Sequence, residues 1–316
     1  MQFVVRLGVN LMNNLDSHIL KIINEELTRK DSAFNIRKDG KSIERGSTEN
    51  IKIESKTDKD GIDIYVKEGT INGYVHIPVI ITKSGFSDKV YNDFHIGKNS
   101  IVIINAGCGI HNDAHKDSSH NGIHRFFIEE GSYVKYIEKH YGEGDGDGKR
   151  ILDPVTEVYL GKNATLEMDT AQIKGVSSTI RTTKATLDDN SKLVINEKIM
   201  THESQTAKTI FNVELNGKNS SAKVTSRSVA GEESHQEFVS NVIGNNECFA
   251  HVECDAIIKD NASVTSDPKI TANNIDARLI HEATIGKIAG EQLIKLMTLG
   301  LSKKKAEETI INGFLK

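Results

Sequence analysis

Tryptophan is absent from this 316-residue chain, only three prolines occur, and aromatic residues make up 5% of it. A core without many rings must be filled by Ile, Val, Leu and Ala, and the length suffices for one large domain or a core with small appendages. Three cysteines, Cys108, Cys248 and Cys254, are too few and too irregularly placed for a disulfide framework, which points to a reducing compartment. No apolar run approaches the roughly 20 residues of a membrane helix. The start, MQFVVRLGVNLMNN, lacks the apolar stretch and small-residue cleavage site of a signal peptide, so a cytoplasmic location is expected. The formal charge is −4 with no basic stripe, which argues against nucleic acid as the main partner. Lys303-Lys304-Lys305 reads as a solvated face.

Glycine, by contrast, occurs 25 times, and much of it sits in turns that look alike. Gly97-Lys98-Asn99-Ser100 recurs as Gly161-Lys162-Asn163-Ala164 and Gly217-Lys218-Asn219-Ser220. Looser copies are Glu130-Gly131-Ser132, Asp189-Asn190-Ser191 and Asp260-Asn261-Ala262. Measured at the last residue of each, the steps are 32, 32, 27, 29 and 42. Alternating strands follow most of them: Ile101–Ile104, Thr165–Met168, Lys192–Ile195. Strands and tight turns with no helix between them predict a β-solenoid, whose stacked coils share one interior. A β-sandwich would space its strands by about 8–12 residues and would not repeat the turn.

Helical periodicity shows only at the ends. Leu15, Ile19, Ile22, Ile23 and Leu27 predict a helix from about Leu15 to Lys30, capped by Asp16 or Ser17. Ile288 to Met297 predicts a second, with Leu293, Leu296 and Met297 on one side and Gly300 at its end. Ser302 should cap a third from Lys303 to about Ile311, closed by Gly313. The expected organisation is an N-terminal helical segment over residues 1–45, a parallel β-helix core over 46–280 and a C-terminal helical domain over 281–316. The terminal helical hairpin is either a cap on the last coil or a docking surface.

Two clusters carry potential chemistry. The first, CGIHNDAHKDSSHNGIHRFF, holds Cys108, His111, His115, His120 and His124 with Asp113 and Asp117. Thiolate and imidazole suit soft and borderline metals, so a metal-dependent enzyme site is one reading, and a polar ladder on a solenoid face is the other. The second is Cys248 to Asp255, followed by His281-Glu282. In a strand, His251 and Glu253 share one face while Val252 and Cys254 share the other. His281 and Glu282 lie one repeat-length beyond, which brings them beside Cys254 in the next coil. Cysteine, histidine and carboxylate form an incomplete, mixed ligand set that suits a labile cluster or a transient metal. A lone cysteine is also commonly a small buried hydrophobe. The Gly142–Arg150 stretch resembles a phosphate loop but lacks its first glycine and its Ser/Thr, and reads as a hairpin.

From about residue 30 to the C-terminus the chain resembles the SufB/SufD family, scaffolds of the SUF iron–sulfur assembly machinery. The likeness is carried by AGCGIHNDAHKDSSHNGIHRFF, VKYIEKHYGEG, DPVTEVYLGKNATLEMDTAQIKGVSST, MTHESQTAKTIFNVELNG, VTSRSVA, HVECDAI and HEATIGKIAGEQLIKLMTLGLSKKKAEETIINGF. The resemblance implies a right-handed parallel β-helix and C-terminal helices that dock an ABC-type ATPase, here through Leu293, Leu296, Met297 and Phe314. It implies a scaffold without catalysis of its own, paired with a second copy or a paralogue through the β-helix. It implies transient binding of an iron–sulfur cluster, expected as [4Fe-4S], passed on to recipient apo-proteins. Cys254 and Glu282 fall on the SufB branch's cluster-binding cysteine and His-Glu-Ala glutamate, with His281 or His251 as further ligands. The chain departs from long bacterial SufB in its much shorter N-terminal extension, which lacks the cysteine-rich motif. It is most similar to the compact archaeal type, which works with the ATPase and as a homodimer. That departure leaves sulfur acceptance by an N-terminal thiol, a SufD partner and a flavin without a motif to support them. A purely structural β-helix that positions partners is the remaining alternative.

Overall fold

The structure, a computed structural model, describes residues 12–23 and 31–316. Helix α1 (Asn14–Ile23) opens it, and the expected continuation over 24–30, including Leu27, lies outside the described residues. The cap is Asn13 rather than Asp16 or Ser17. Asp16 N–H donates to Asn13 Oδ1, and Asn13 N–H donates back to Asp16 Oδ2, both at 2.9 Å, a reciprocal box that satisfies two amides at the helix start. Ile19, Leu20 and Ile23 bury the inner stripe of α1. A Cβ on Gly109 would lie 2.1 Å from Ile19, so this glycine is what lets the helix rest on the sheet below.

Two antiparallel hairpins follow: β1 (Ala33–Lys38) with β2 (Lys41–Gly46), and β3 (Ile51–Ser55) with β4 (Gly61–Val66). The parallel coils then begin. They run through β5 (Gly73–Ile81), β6 (Ser87–Ile96), β7 (Ile101–His111), β8 (Ser118–Ile128) and β9 (Tyr133–Glu143). The next strand is split around Pro154, which has no N–H for the ladder, into β10 (Arg150–Leu152) and β11 (Val155–Leu160). The solenoid continues with β12 (Thr165–Lys174), β13 (Ser178–Leu187), β14 (Lys192–Thr201), β15 (Thr206–Leu215), β16 (Ser220–Ala230) and β17 (His235–Gly244). It ends with β18 (Cys248–Ile258), β19 (Ser263–Ala272) and β20 (Arg278–Gly286). One ten-stranded sheet has the order β2-β1-β5-β7-β9-β12-β14-β16-β18-β20; the other runs from β19 back to β3. The fold is therefore the parallel β-solenoid that the turn repeat predicts, with about eight coils. Strands begin before residue 46 and β20 passes residue 280.

The recurrent turns stack. Asn99, Asn163, Asn190 and Asn219 all take positive φ, between 53° and 57°, and Gly131 takes 71°. Asn and Gly tolerate this left-handed conformation better than other residues. It points each N–H along the stack: Asn99 to Glu130 O, Gly131 to Lys162 O, Asn163 to Asp189 O, Asn190 to Lys218 O and Asn219 to Glu247 O, at 2.7–3.0 Å. The small residue that follows is buried: Ser100, Ser132, Ala164, Ser191 and Ser220 are 0–1% exposed. The first four sequence steps equal the strand register, for Ile101 pairs Tyr133, Tyr133 pairs Thr165, Thr165 pairs Lys192, and Lys192 pairs Ser221 one residue past the turn. The fifth step is corrected. Asp260-Asn261-Ala262 belongs to the opposite corner of the coil, in line with Glu203 and Glu232, which share positive φ with Asp260. There Thr206, His235 and Ser263 are in register.

Inward positions alternate with outward ones along most strands, and the main apolar cluster of the interior extends from Ala33 to Cys254, with a smaller one around Val79, Cys108 and Ile110. Phe94 and Phe126 stack within it, with centroids 4.4 Å apart. After β20 come α2 (Gly290–Thr298) and α3 (Lys303–Phe314). Gly300 at φ +92° ends α2, and the Ser302 hydroxyl accepts from Lys305 N–H, as expected of a stop and a cap. Gly313 lies inside α3 rather than closing it. Helix α3 packs Ile311, Phe314 and Leu315 on the flank of the solenoid, against Val229 and Ile257, and leaves the end of the last coil open. Among the described residues no helix is long and apolar enough to cross a membrane.

Candidate cluster site and the polar interior

Register decides what each predicted ligand can reach. Val252 pairs with His281, Glu253 with Glu282 and Cys254 with Ala283. In a parallel ladder paired residues share a face, so Cys254 and His281 point inward while His251, Glu253 and Glu282 point outward. The burial pattern agrees: Val252 and Cys254 are core residues at 2% exposure, and the Glu282 side chain is 65% exposed. Strand spacing and rise put the Cα atoms of Cys254 and Glu282 about 6 Å apart and those of Cys254 and His281 about 8 Å apart. The structure thus assembles two half-sets on opposite faces of one strand pair. Outside, His251 Nε2 lies 3.3 Å from Glu282 Oε2. Inside, Cys254 and His281 are diagonal neighbours.

The inner pair has two further properties. Both ring nitrogens of His281 are buried without a hydrogen-bond partner among the described residues, and the ring sits 6.3 Å from that of Phe238. Burial, and then the nearby His251, lowers the pKa of His281, which favours the neutral ring, with a lone pair on one nitrogen and an N–H on the other. Burial pushes the Cys254 thiol up to about 11, with the charges of Glu197 and Asp255 adding to the effect and the Ser266 hydroxyl opposing it. A thiol in this state is protonated and inert at pH 7. Only the last coil separates it from the open end of the solenoid, where β19 and β20 are largely exposed.

The histidine-rich segment does not converge on one point. His111 turns outward to Asp113 (2.7 Å), and the exposed His115 meets Asp147 (2.5 Å). His120, His124 and Cys108 turn inward and line a cavity of about 10 Å³ with Glu138 and His140, room for at most one water. This cavity belongs to a buried polar network that sequence reasoning missed. His124 Nδ1 lies 2.7 Å from the Tyr136 hydroxyl, which donates to Glu138 Oε1 at 2.7 Å. Arg181 reaches Glu138 (2.9 Å), His140 Nδ1 (2.8 Å) and Glu197 (3.2 Å), and Ser226 donates to Glu197 at 2.8 Å. Glu138, Thr170, Glu197, Ser226 and Cys254 occupy one inward column, each paired with the next in register.

Burial works against the charge on Glu138, but His140 and Arg181 outweigh it and hold the carboxyl well below its usual range. Glu197 is raised by burial despite Arg181. Burial depresses His124 and His76 to about 4 and raises Cys108 well above its usual value. Among the described residues, the one group of ligand atoms gathered within 4.8 Å is Asp63, Asp93 and His95, none of them expected from sequence. Lys56 already pairs with both of its aspartates and Arg125 with Asp93, so internal cations satisfy it.

Comparison with known proteins bears on this geometry. The signature described as SUF system FeS cluster assembly, SufBD core domain, matches residues 110–247 and 175–314. An iron–sulfur cluster assembly SufBD family protein of Pyrococcus horikoshii is 31% identical over 280 residues, covering 87% of this chain and 84% of that protein. One of Methanocaldococcus jannaschii is 26% identical over 296 residues, covering 92% of each chain. The iron–sulfur cluster assembly protein SufB of Bacillus subtilis is 42% identical over 69 residues, 21% of this chain and 15% of that protein.

The network predicts an acid-labile fold. The depressed folded-state pKa values of His124 and His76 mean that the unfolded chain takes up their protons first, so stability falls as pH drops from 6.5 toward 4. Glu138, held low, adds a loss that begins below its ordinary 4.5. Urea unfolding should therefore show a midpoint that declines steadily below pH 6.5. Arg181→Met, which strands an ionised carboxylate in the interior, should cost about 3–5 kcal/mol at pH 7. A flat midpoint from pH 7 to 5, or an Arg181→Met cost under about 1 kcal/mol, contradicts the assigned charge states.

Proposed function

We propose, from the premise that the chain belongs to the SufBD family of iron–sulfur cluster assembly proteins, that it is a scaffold on which a cluster is built and then released. The observation that carries the reading is that a buried thiol, Cys254, has as its diagonal neighbour an imidazole, His281, whose two nitrogens have no hydrogen-bond partner among the described residues. An orphaned buried nitrogen costs free energy that a ligand can recover. Sulfur and imidazole together suit iron. Glu282 and His251 supply a harder half-set on the other face of the same strands.

The two half-sets can act on one cluster only if β20 moves. It is the edge strand of its sheet, bonded on one side, and it runs directly into α2. Displacing it uncovers Cys254 on β18 to solvent, lowers the thiol pKa and frees the Glu282 carboxylate to turn. The incomplete set then leaves coordination positions open for a recipient apo-protein's cysteines, whereas four cysteines would hold the product tightly. Two copies paired along the β-helix would present the set twice, enough for one [4Fe-4S] cluster. Cytoplasmic action belongs to this proposal, supported by the three free cysteines.

An ABC-type ATPase is the proposed partner of the C-terminal helical domain, with ATP hydrolysis in the partner and none in this chain. Ile294, Met297 and Leu299 of the α2 region are 62%, 42% and 76% exposed, an apolar face without a cover. Leu293 and Leu296 are half-buried, and Phe314 is committed to packing on the solenoid, so Met297 and its exposed neighbours are the stronger docking candidates. A docked partner would hold the handle of β20.

Anaerobic reconstitution with iron and sulfide tests the ligands. Cys254→Ser, Glu282→Ala and His281→Ala should each lose most of the visible charge-transfer absorbance, and Cys108→Ser should retain it. Equal loss with Cys108→Ser would move the site to the histidine-rich interior. Docking and pairing are tested by co-purification with the ATPase followed by light scattering. Ile294→Lys with Met297→Lys should abolish co-purification while circular dichroism stays β-rich, and the wild-type complex should contain two scaffold chains. Unchanged co-purification, or one scaffold chain per complex, removes the respective part.

A further inference from the structure

The opposite end of the solenoid carries a second cavity, and nothing in cluster assembly accounts for its chemistry. Its volume is about 260 Å³, and it opens where the two hairpins β1–β2 and β3–β4 meet the first coil. Ile62, Ile77, Val79 and Val90 form an apolar floor. Among the described residues, five cationic side chains line it against one carboxylate, Asp60.

Most of those cations are already neutralised. Arg37 is held by Asp88 in a fork of two bonds, at 3.0 and 2.8 Å. Lys56 sits between Asp63 and Asp93. Lys59 pairs with Asp58 and lies over the Tyr91 ring. Arg45 and Lys41 differ. Arg45 is half-buried and, among the described residues, bonded to neutral groups: Nε donates to Asn35 Oδ1 at 2.9 Å and Nη1 to Ser55 Oγ at 2.8 Å. Burial without a counter-charge lowers its pKa. Among the described residues neither Arg45 nor the exposed Lys41 forms an ion pair, although Asp60 lines the same cavity.

The two bonds fix the Arg45 fork and leave its Nη2 hydrogens free. Ser55 accepts from Arg45, so its own hydroxyl hydrogen is available to donate. A guanidinium edge, a hydroxyl and a mobile ammonium around one space are the donor set for a tetrahedral oxyanion. The cavity is smaller than the roughly 300 Å³ of a typical drug-sized pocket, which limits the occupant to a small molecule or to the head of a larger one.

We propose that this N-terminal mouth of the solenoid is a binding pocket for a phosphate group, held by Arg45, Ser55 and Lys41. The phosphate comes either as inorganic phosphate or as a small phosphomonoester whose carbon part covers the apolar floor. Bound there, it supplies the charge that Arg45 lacks and closes the open end of the first coil.

Isothermal titration calorimetry on the full chain at low ionic strength tests this, with inorganic phosphate and phenyl phosphate as probes. Saturable one-site binding is expected for at least one of them. Tighter binding of phenyl phosphate assigns the pocket to a phosphomonoester, and equal or weaker binding assigns it to the free ion. Arg45→Gln should weaken binding by about ten-fold, since a charge-assisted hydrogen bond is lost. Lys98→Gln, a turn lysine outside the cavity, should leave binding unchanged. If circular dichroism shows that Arg45→Gln is misfolded, Lys41→Gln, an exposed position, carries the test with a several-fold loss. Absence of saturable heat with both probes, or an equal loss in Lys98→Gln, overturns the proposal.

Discussion

Everything in this molecule depends on the hydrogen-bonded ladder from one coil to the next. Each strand is bonded to the equivalent strand of the coils before and after it, and side-chain direction is fixed by the two-residue period. A residue's neighbours are therefore set by the coil length, and its face is set by parity. A slip of one residue would exchange the whole interior for the exterior. The corner asparagines resist such slips, because each left-handed N–H finds one carbonyl in the next coil. The ladder has to end somewhere. At the beginning it ends in two antiparallel hairpins; at the end it stops at β19 and β20, the edge strands of the two sheets, which are largely exposed.

The interior is not purely apolar, and that has consequences for how it opens. Arg181 sits between Glu138 and Glu197, with Tyr136, His140, Thr209 and Ser226 completing the bonds. Removing charges from water is expensive, and such a group is tolerated only when its bonds are met. The middle coils therefore cannot loosen without stranding charges. Toward the end no such network continues among the described residues: His281 in the last coil has no hydrogen-bond partner, and Cys254 in the coil before it is a neutral thiol. Local stability should fall from the middle coils to the last, the region where a scaffold needs to bind and let go.

The turn repeat made the architecture legible, because Gly-Lys-Asn-Ser encodes both the left-handed corner and the small buried residue after it. Its steps of 32, 32, 27 and 29 are the coil lengths themselves. Applied to polar residues, the same steps join Glu138 to Thr170, Glu197 and Ser226, so the buried column was implicit in the sequence although no motif announces it. Ala262 misled because both corners of a coil use similar turns, and spacing alone does not say which corner is meant. The nearness of Cys254 to His281-Glu282 was legible from the coil length. Which of the pair shares the interior with Cys254 was not, since that depends on a single residue of register: Ala283, not Glu282, pairs with Cys254. That Arg45 forms no ion pair among the described residues was also invisible, because it arises from which acids the other lysines and arginines claim.

The central claim is that Cys254 lies behind a coil that opens by itself, while the rest of the interior stays closed. All three cysteines are buried, so static exposure does not separate them. Opening does. Timed alkylation of the native chain with iodoacetamide, read by mass spectrometry at each cysteine, measures it directly. Cys254 should label much faster than Cys108, which shares its core cluster with Val79 and Ile110 and lies on β7, several strands from the open end. Labelling of Cys254 and Cys108 at the same rate would show that the last coil opens only with the whole molecule, and would contradict the account.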